Sequence, residues 1–226
     1  MRISAIYALE CITGDSPRDL AAISDVLAAF IREHDPAPAI SDTKLPAEPD
    51  TDVTAALAVI GRLHRNANTN PPDLHGIRTP GASLVKADLV GADLIDPRLN
   101  GAHMYQADLR GANLAGVNLS GADLTGADLT DAVLTPADAL YGTKVSLYYA
   151  NLYHANLTDA ALINVDLRGA NLVGADLRCA NLFGARLDGA DFSAADLRSS
   201  ERREVIRKVA KADEMTKWGS DPRECH

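Results

Sequence analysis

The side chains of this chain with most chemistry to offer are its aspartates, which recur on a fixed spacing. Between residues 82 and 199, Asp or Asn stands directly before a large apolar residue in 15 of 22 five-residue units. Such a row can bond nearby backbone wherever the chain turns, or it can present negative charge to a partner. Other reactive groups are scattered. Six histidines (His34, His64, His75, His103, His154 and His226) show no metal-ligand spacing with one another or with cysteine. Cys225-His226 reads as a tail. No GxGxxG, GxxxxGK(S/T) or GxSxG stretch is present. Cys179 stands where other units carry Gly, and reads as a corner residue. No catalytic residue, metal ligand or cofactor is assigned, and an enzyme is not expected.

The spacing dictates the architecture that must carry the aspartates. Central large residues run from Leu84 to Leu134 and from Leu147 to Leu197 in steps of five. Of these 22, 20 are Leu, with Met104 and Phe192 as the others, and 18 have Ala two residues earlier. A helix would rotate successive leucines by about 140° and gather them on no face. A continuous strand would send alternate leucines to opposite sides. Both arrangements leave leucines in water. A chain that turns a corner every five residues keeps each Leu and its preceding Ala inside. Four such sides close a square coil of twenty residues, with coils stacked about 4.8 Å apart through backbone pairing. Ten units end in Gly, suited to corners that need a positive φ. The core must be aliphatic, because aromatics make up only 4% of the chain.

The A(D/N)LXX pattern resembles the pentapeptide-repeat family over about residues 72–199, with Pro72–Gly76 and Ile77–Gly81 fitting the frame weakly. The resemblance implies a mainly β fold, a right-handed quadrilateral β-helix. It also implies protein binding, since some members occupy the DNA-binding saddle of bacterial type II topoisomerases. DNA gyrase is therefore the specific partner expected, through DNA mimicry; a regulatory or structural scaffold for another partner is the alternative. Met1–Glu10 and the following Ser-Pro-Arg-Asp resemble segments that flank such repeats in actinobacterial proteins.

The frame breaks once. Ala137-Asp138-Ala139 fits the earlier register, so three extra residues are expected within 140–144, as an outward loop. On that count one face carries Asp88, Asp108, Asp128, Asn151, Asn171 and Asp191, and the next carries Asp93, Asn113, Val133, Asn156, Asp176 and Asp196. The candidate partner-binding stripe is Asp88, Asp108, Asp128, Asp176, Asp191 and Asp196. Residues 72–199 hold 15 acids and 9 bases, whereas B-DNA over the same rod, about 30 Å, carries roughly 18 charges. A second candidate surface is the loop and aromatic patch of Tyr141, Lys144, Tyr148, Tyr149 and Tyr153, since clustered exposed Tyr favours interfaces.

The ends read as helical. Residues 1–71 form an expected helical subdomain: Ile3, Ile6 and Ile12 on one face of a first helix, with Leu9 beside them. Ser16 caps a second helix with Ile23, Val26, Leu27, Phe30 and Ile31 as its stripe. A linker with four prolines spans 35–50, and a third helix places Val53, Leu57 and Ile60 inward. Residues 200–226 are expected to form a helix from Glu201 to about Met215, followed by a tail. That helix would close the last coil or join two copies as a homodimer. Across 226 residues the charge is −9, from 31 acids and 22 bases. This argues against direct nucleic-acid or anionic-membrane binding. Three distant cysteines, no long apolar run and Glu10 near the start lead to the expectation of a cytoplasmic chain without a membrane span.

Overall fold

In a computed structural model, the protein is described over residues 2–16, 19–34, 51–63, 71–137, 145–200 and 210–218. Three helices, α1 (Arg2–Asp15), α2 (Leu20–His34) and α3 (Thr51–Leu63), precede a right-handed quadrilateral β-helix. Every side of the coil is one residue pair wide in its β-pairing, and all pairs are parallel.

Each corner is a β-turn whose chemistry is set by the repeat. The Ala N–H that opens a unit donates to the carbonyl of the preceding Leu, as from Ala112 to Leu109 at 3.0 Å. The residue before that Ala holds a left-handed φ, for example 62° at Gly111, which is the third position of a type II turn. Between coils, Leu109 N–H donates to the Asp128 carbonyl at 2.7 Å and Gly111 N–H to the Thr130 carbonyl at 2.8 Å. The amides are thus satisfied along the rod while Leu and Ala fill its interior.

The bridges define four faces, each named here by its first residue. The Asp73 face runs 73, 93, 113, 133, 161, 181, and the Arg78 face runs 78, 98, 118, 146, 166, 186. The Ser83 face runs 83, 103, 123, 151, 171, 191, 211, and the Asp88 face runs 88, 108, 128, 156, 176, 196, 217. This register corrects the expected one. Ser146 pairs with Asn118, one side after Val133, so the interruption inserts eight residues beyond the five of a side. Ala137–Ala139 does not supply that side; Val145–Tyr149 does. Among the described residues, 138–144, with Tyr141 and Lys144, are absent.

α3 is buried nearly all round: Val53, Ala56, Leu57, Val59 and Ile60 are each at most 1% exposed. It packs on α1 and α2 and sits against the first coil, where Asp88 N–H donates to the Gly61 carbonyl at 2.8 Å. A Cβ on Gly61 would lie 2.6 Å from that of Ala87, so the close approach requires glycine. Bidentate bonds from Arg62 to Glu10, 2.6 and 2.8 Å, tie α3 to α1. The helical unit therefore closes the N-terminal end of the solenoid. Its inward residues differ in part from expectation. Ile6 is buried and Leu9 packs partly on the core, but Ile3 and Ile12 are exposed; on α2, Val26 is exposed while Leu20, Ser24 and Ala28 join Ile23, Leu27 and Ile31.

At the other end the expected helix does not extend through residues 210–215. There the chain continues the solenoid: Lys211 pairs with Asp191 and Lys217 with Asp196. Met215 lies exposed in a turn; residues 201–209 and 219–226 lie outside the described set. No helix among the described residues is long and apolar enough to cross a membrane.

Candidate functional site

The Asp or Asn before most of the leucines stands at the start of a corner, where its Oδ1 accepts the backbone N–H two residues on; Asp93 is an exception, its Oδ1 being buried without a partner. Asp88 accepts from Val90 at 3.3 Å, Asp128 from Thr130 at 3.0 Å, Asn156 from Thr158 at 3.1 Å and Asn171 from Val173 at 3.1 Å. The pattern is the Asx turn, and Asn fills it as well as Asp. Where Ser or Thr follows the Leu, its hydroxyl adds a bond, as from Thr125 to Asp123 at 2.6 Å. A first role for these residues is thus shaping the corners. Negative charge is a second property, carried by the aspartates alone.

That charge is concentrated by the corrected register. Asp88, Asp108, Asp128, Asp176 and Asp196 lie on one face instead of two, with Asn156 completing the row. Asp191 does not join them; it lies on the adjacent Ser83 face, bonded to Lys211 Nζ at 2.5 Å. Asp131 and Asp159, which the reading of the repeat passed over, occupy left-handed corners of the same Asp88 face, both with φ 59°. Both end a repeat unit, a position where the A(D/N)LXX pattern sets no residue type.

Arginines temper the face. Arg110 binds Asp108 through Nε and Nη2 at 2.7 and 2.6 Å, and Arg198 binds Asp196 at 2.9 and 2.7 Å. Arg178 binds Asp176 in the same way. Over its length the face holds seven aspartates against three arginines and Lys217, which lies 3.7 Å from Asp196, net −3. Burial pushes the Asp108 and Asp196 carboxyls up, but the facing guanidinium and the turn N–H outweigh it and hold both below the usual carboxylate range. The Arg78 face, on the opposite side of the square, is basic: Arg78, Arg98, Arg168 and Arg186 against Asp166 and Asp188. Hydrogen bonding from Arg168 lowers Asp166 despite its burial.

The described part of the aromatic patch lies where the Arg78 and Ser83 faces meet. Tyr148 and Tyr149 touch edge-to-face at 4.4 Å between centroids, and the Arg168 guanidinium lies 5.2 Å over the Tyr148 ring. Tyr153 packs edge-on against His154 at 4.2 Å. Tyr149, at φ 54° and 64% exposed, leans over the Gly169 corner of the next coil, where a Cβ would come within 2.5 Å of its ring. Among the described residues no group of three or more His, Cys, Asp and Glu could hold a metal ion. Cys11 is a free, exposed thiol, whereas Cys179 is disulfide-bonded, a pairing the spacing of the cysteines did not foretell.

Comparison with known proteins agrees with this geometry. The family model for pentapeptide repeats matches in eight copies over residues 81–111, 112–138, 146–178 and 175–203. No curated protein matches the chain. Among solved structures, it is similar to QnrB1, a plasmid-mediated fluoroquinolone resistance protein, at 22% identity and TM-score 0.42, covering 65% of this chain and 78% of that one. It is similar to HetL of the cyanobacterium Nostoc sp. strain PCC 7120, a pentapeptide repeat protein involved in regulating heterocyst differentiation, at 27% identity and TM-score 0.31, covering 71% and 78%. A pentapeptide repeat protein of the Arabidopsis thaliana thylakoid lumen matches at 28% identity and TM-score 0.27, covering 62% and 79%. With its corners, its Leu-Ala interior and the family model matching just over half its length, the chain belongs to the pentapeptide-repeat family.

Proposed function

We propose that the protein is a non-enzymatic protein-binding solenoid whose acidic Asp88 face engages the basic, nucleic-acid-binding surface of a partner, with a type II topoisomerase, DNA gyrase, as the specific target. The observation that supports this reading is the in-register row of carboxylates along one face, one per coil except at Asn156. Magnitude sets the kind of mimicry. Six coils span about 24 Å, over which B-DNA carries roughly 14 phosphate charges. A face of net −3 is a partial electrostatic match, so shape and side-chain contacts must contribute most of the affinity. The action belongs to the cytoplasm on this reading.

The test is gyrase supercoiling with purified protein, titrated with and without a quinolone. Inhibition or protection that weakens as salt rises supports the proposal; a flat response from folded protein overturns it for that enzyme. A second reading, a scaffold that engages another partner through Tyr148, Tyr149 and Tyr153, is favoured by the exposed aromatic cluster with Arg168 beside it. Replacing those three tyrosines by Ser leaves the Asp88 face intact, so the same assay discriminates between the two surfaces.

A further inference from the structure

The last described coil of the solenoid is held from one side. Lys211 stands over Asp191 and Lys217 over Asp196. Lys211 N–H donates to the Ala190 carbonyl at 2.9 Å, and the Lys211 carbonyl accepts from Phe192 at 2.7 Å. Lys217 N–H donates to the Ala195 carbonyl at 2.8 Å, and the Lys217 carbonyl accepts from Leu197 at 2.9 Å. Asp213 Oδ1 takes the Ala194 N–H at 2.8 Å, and the Thr216 hydroxyl donates to the Phe192 carbonyl at 3.0 Å. Trp218 packs partly on the core. An inner side such as that of Asp128 pairs both with Asp108 and with Asn156, whereas no coil follows Lys217 among the described residues. The end of a stacked rod is where opening costs least.

Cys179 lies two coils away from that end, half-buried at the corner where the Asp88 face turns into the Asp73 face. Its N–H donates to the Arg198 carbonyl at 3.2 Å, and its sulfur is in a disulfide. The chain holds three cysteines and Cys11 is free, so the arithmetic leaves Cys225 as the partner. Reach agrees with this. Lys217 stands two pairings from Asp176 on one face, about 10 Å along the rod. The seven residues 219–225 can span up to about 25 Å.

We propose that Cys179 and Cys225 form a thiol-exchange switch: oxidised, it straps the last coil down on the Asp88 side, and reduced, it lets that coil open. The strap joins a corner two coils down to chain beyond the last pairing, so Lys217 cannot lift from Asp196 while it is closed. A half-buried sulfur at a corner is within reach of small thiols. The oxidant is a low-molecular-weight disulfide such as glutathione disulfide. One protein thiolate attacks a glutathione sulfur, breaking that S–S bond and releasing one glutathione thiolate. The other protein thiolate attacks the mixed disulfide, forming the bond within the chain and releasing the second glutathione thiolate. The two protein thiols thus give up two electrons and two protons, and two glutathione thiols carry them away. Opening would withdraw Lys211 from Asp191 and Lys217 from Asp196, which are paired at 2.5 and 3.7 Å. The switch stands independently of the topoisomerase reading.

The experiment equilibrates the full chain with glutathione disulfide or with excess reduced glutathione, then applies tryptic mass mapping without reductant and amide hydrogen exchange. In the oxidised chain the peptides 179–186 and 224–226 should appear joined, and the reduced chain should yield them separately. Exchange of the Leu197 amide, whose acceptor is the Lys217 carbonyl, should be at least about tenfold faster in the reduced chain, with the mid-rod Leu124 amide unchanged. The oxidised chain should melt at least about 5 °C higher. Cys225→Ser leaves the Cys179 corner as it is and should behave as the reduced chain in both buffers. A bridge to Cys11 or to a second copy, or no bridge after oxidation, would overturn the pairing. Equal Leu197 exchange in the two states, or a bridge that the folded chain keeps in excess reduced glutathione, would overturn the switch and leave a static crosslink.

Discussion

Replacing Asp88, Asp128, Asp131 and Asp159 together by Asn separates corner shaping from charge. The substitution takes the Asp88 face from −3 to +1, because the three aspartates that remain are each held by an arginine and Lys217 is unchanged. The turn bonds survive: an Asn Oδ1 can still accept from the Val90 and Thr130 N–H groups, as Asn156 and Asn171 do from theirs. Asn also tolerates the left-handed φ at positions 131 and 159. Among the described residues the one ion pair lost is the 3.8 Å approach of Arg110 to Asp128, half-exposed and worth less than about 1 kcal/mol. Stability by urea unfolding should therefore stay within about 1 kcal/mol of the parent. Alanine at the same four positions removes two turn acceptors, about 1 kcal/mol each, and the local bonding that helps Asp hold a left-handed corner. It should cost about 2–4 kcal/mol. Charge removal acts on binding instead. Each charge facing a cation across ~8 Å of water is worth about 0.5 kcal/mol, so four amount to about 2 kcal/mol, roughly a thirtyfold loss of potency in the supercoiling assay at low salt. An Asn variant destabilised by more than about 2 kcal/mol, or a harmless Ala variant, would refute the turn argument. Undiminished potency in a folded Asn variant would refute the charge argument.

Three further outcomes are expected. Gly61→Ala should loosen α3 from the first coil, because the new Cβ would lie 2.6 Å from that of Ala87. The loss of about 1–3 kcal/mol should appear as a lower urea midpoint with faster exchange of the Asp88 amide. Gly184→Ala, with Asn164 Oδ1 1.9 Å from the added Cβ and φ +73°, should cost about 1 kcal/mol more than Gly111→Ala, where φ is +62° and nothing lies within 4 Å. Equal losses would show that the neighbouring coil yields freely. Asp108, Asp166, Asp191 and Asp196 all have carboxyls held below their ordinary range. A lowered folded value stabilises above the unfolded pKa of about 3.9 and is lost as pH falls through the folded value. The urea midpoint should thus be flat from about pH 7 to 5 and fall below about pH 4, and a fall already complete at pH 5 would contradict the pairing.

The coil was legible because one residue in five, nearly always Leu, has to be buried on every side, and only a square coil does that. Its register across the interruption was harder to read. Ala137-Asp138-Ala139 preserves the small-polar spacing but offers Ala where 20 of 22 units have Leu. A side built on it would leave a hole of Leu-to-Ala size, worth about 3–5 kcal/mol, whereas Val145–Tyr149 brings a full-sized Leu147. Weighing volume above spacing would have put the skip at eight residues. Helix faces failed for a similar reason. Val26 and Ile12 are apolar and roughly periodic, yet α3 and the first coil are covered without them.

The eight-residue detour between Val133 and Ser146 shows that chain length and surface pattern are uncoupled at this corner. Since the polypeptide re-enters on the next side, everything downstream keeps its face: Asn156 sits above Asp128 as though no residues intervened. A segment can thus lengthen or be exchanged here without rotating the charges of the later coils against those of the earlier ones. The corner works as a splice point, where a new recognition element can be fitted to a rod whose painted sides stay aligned.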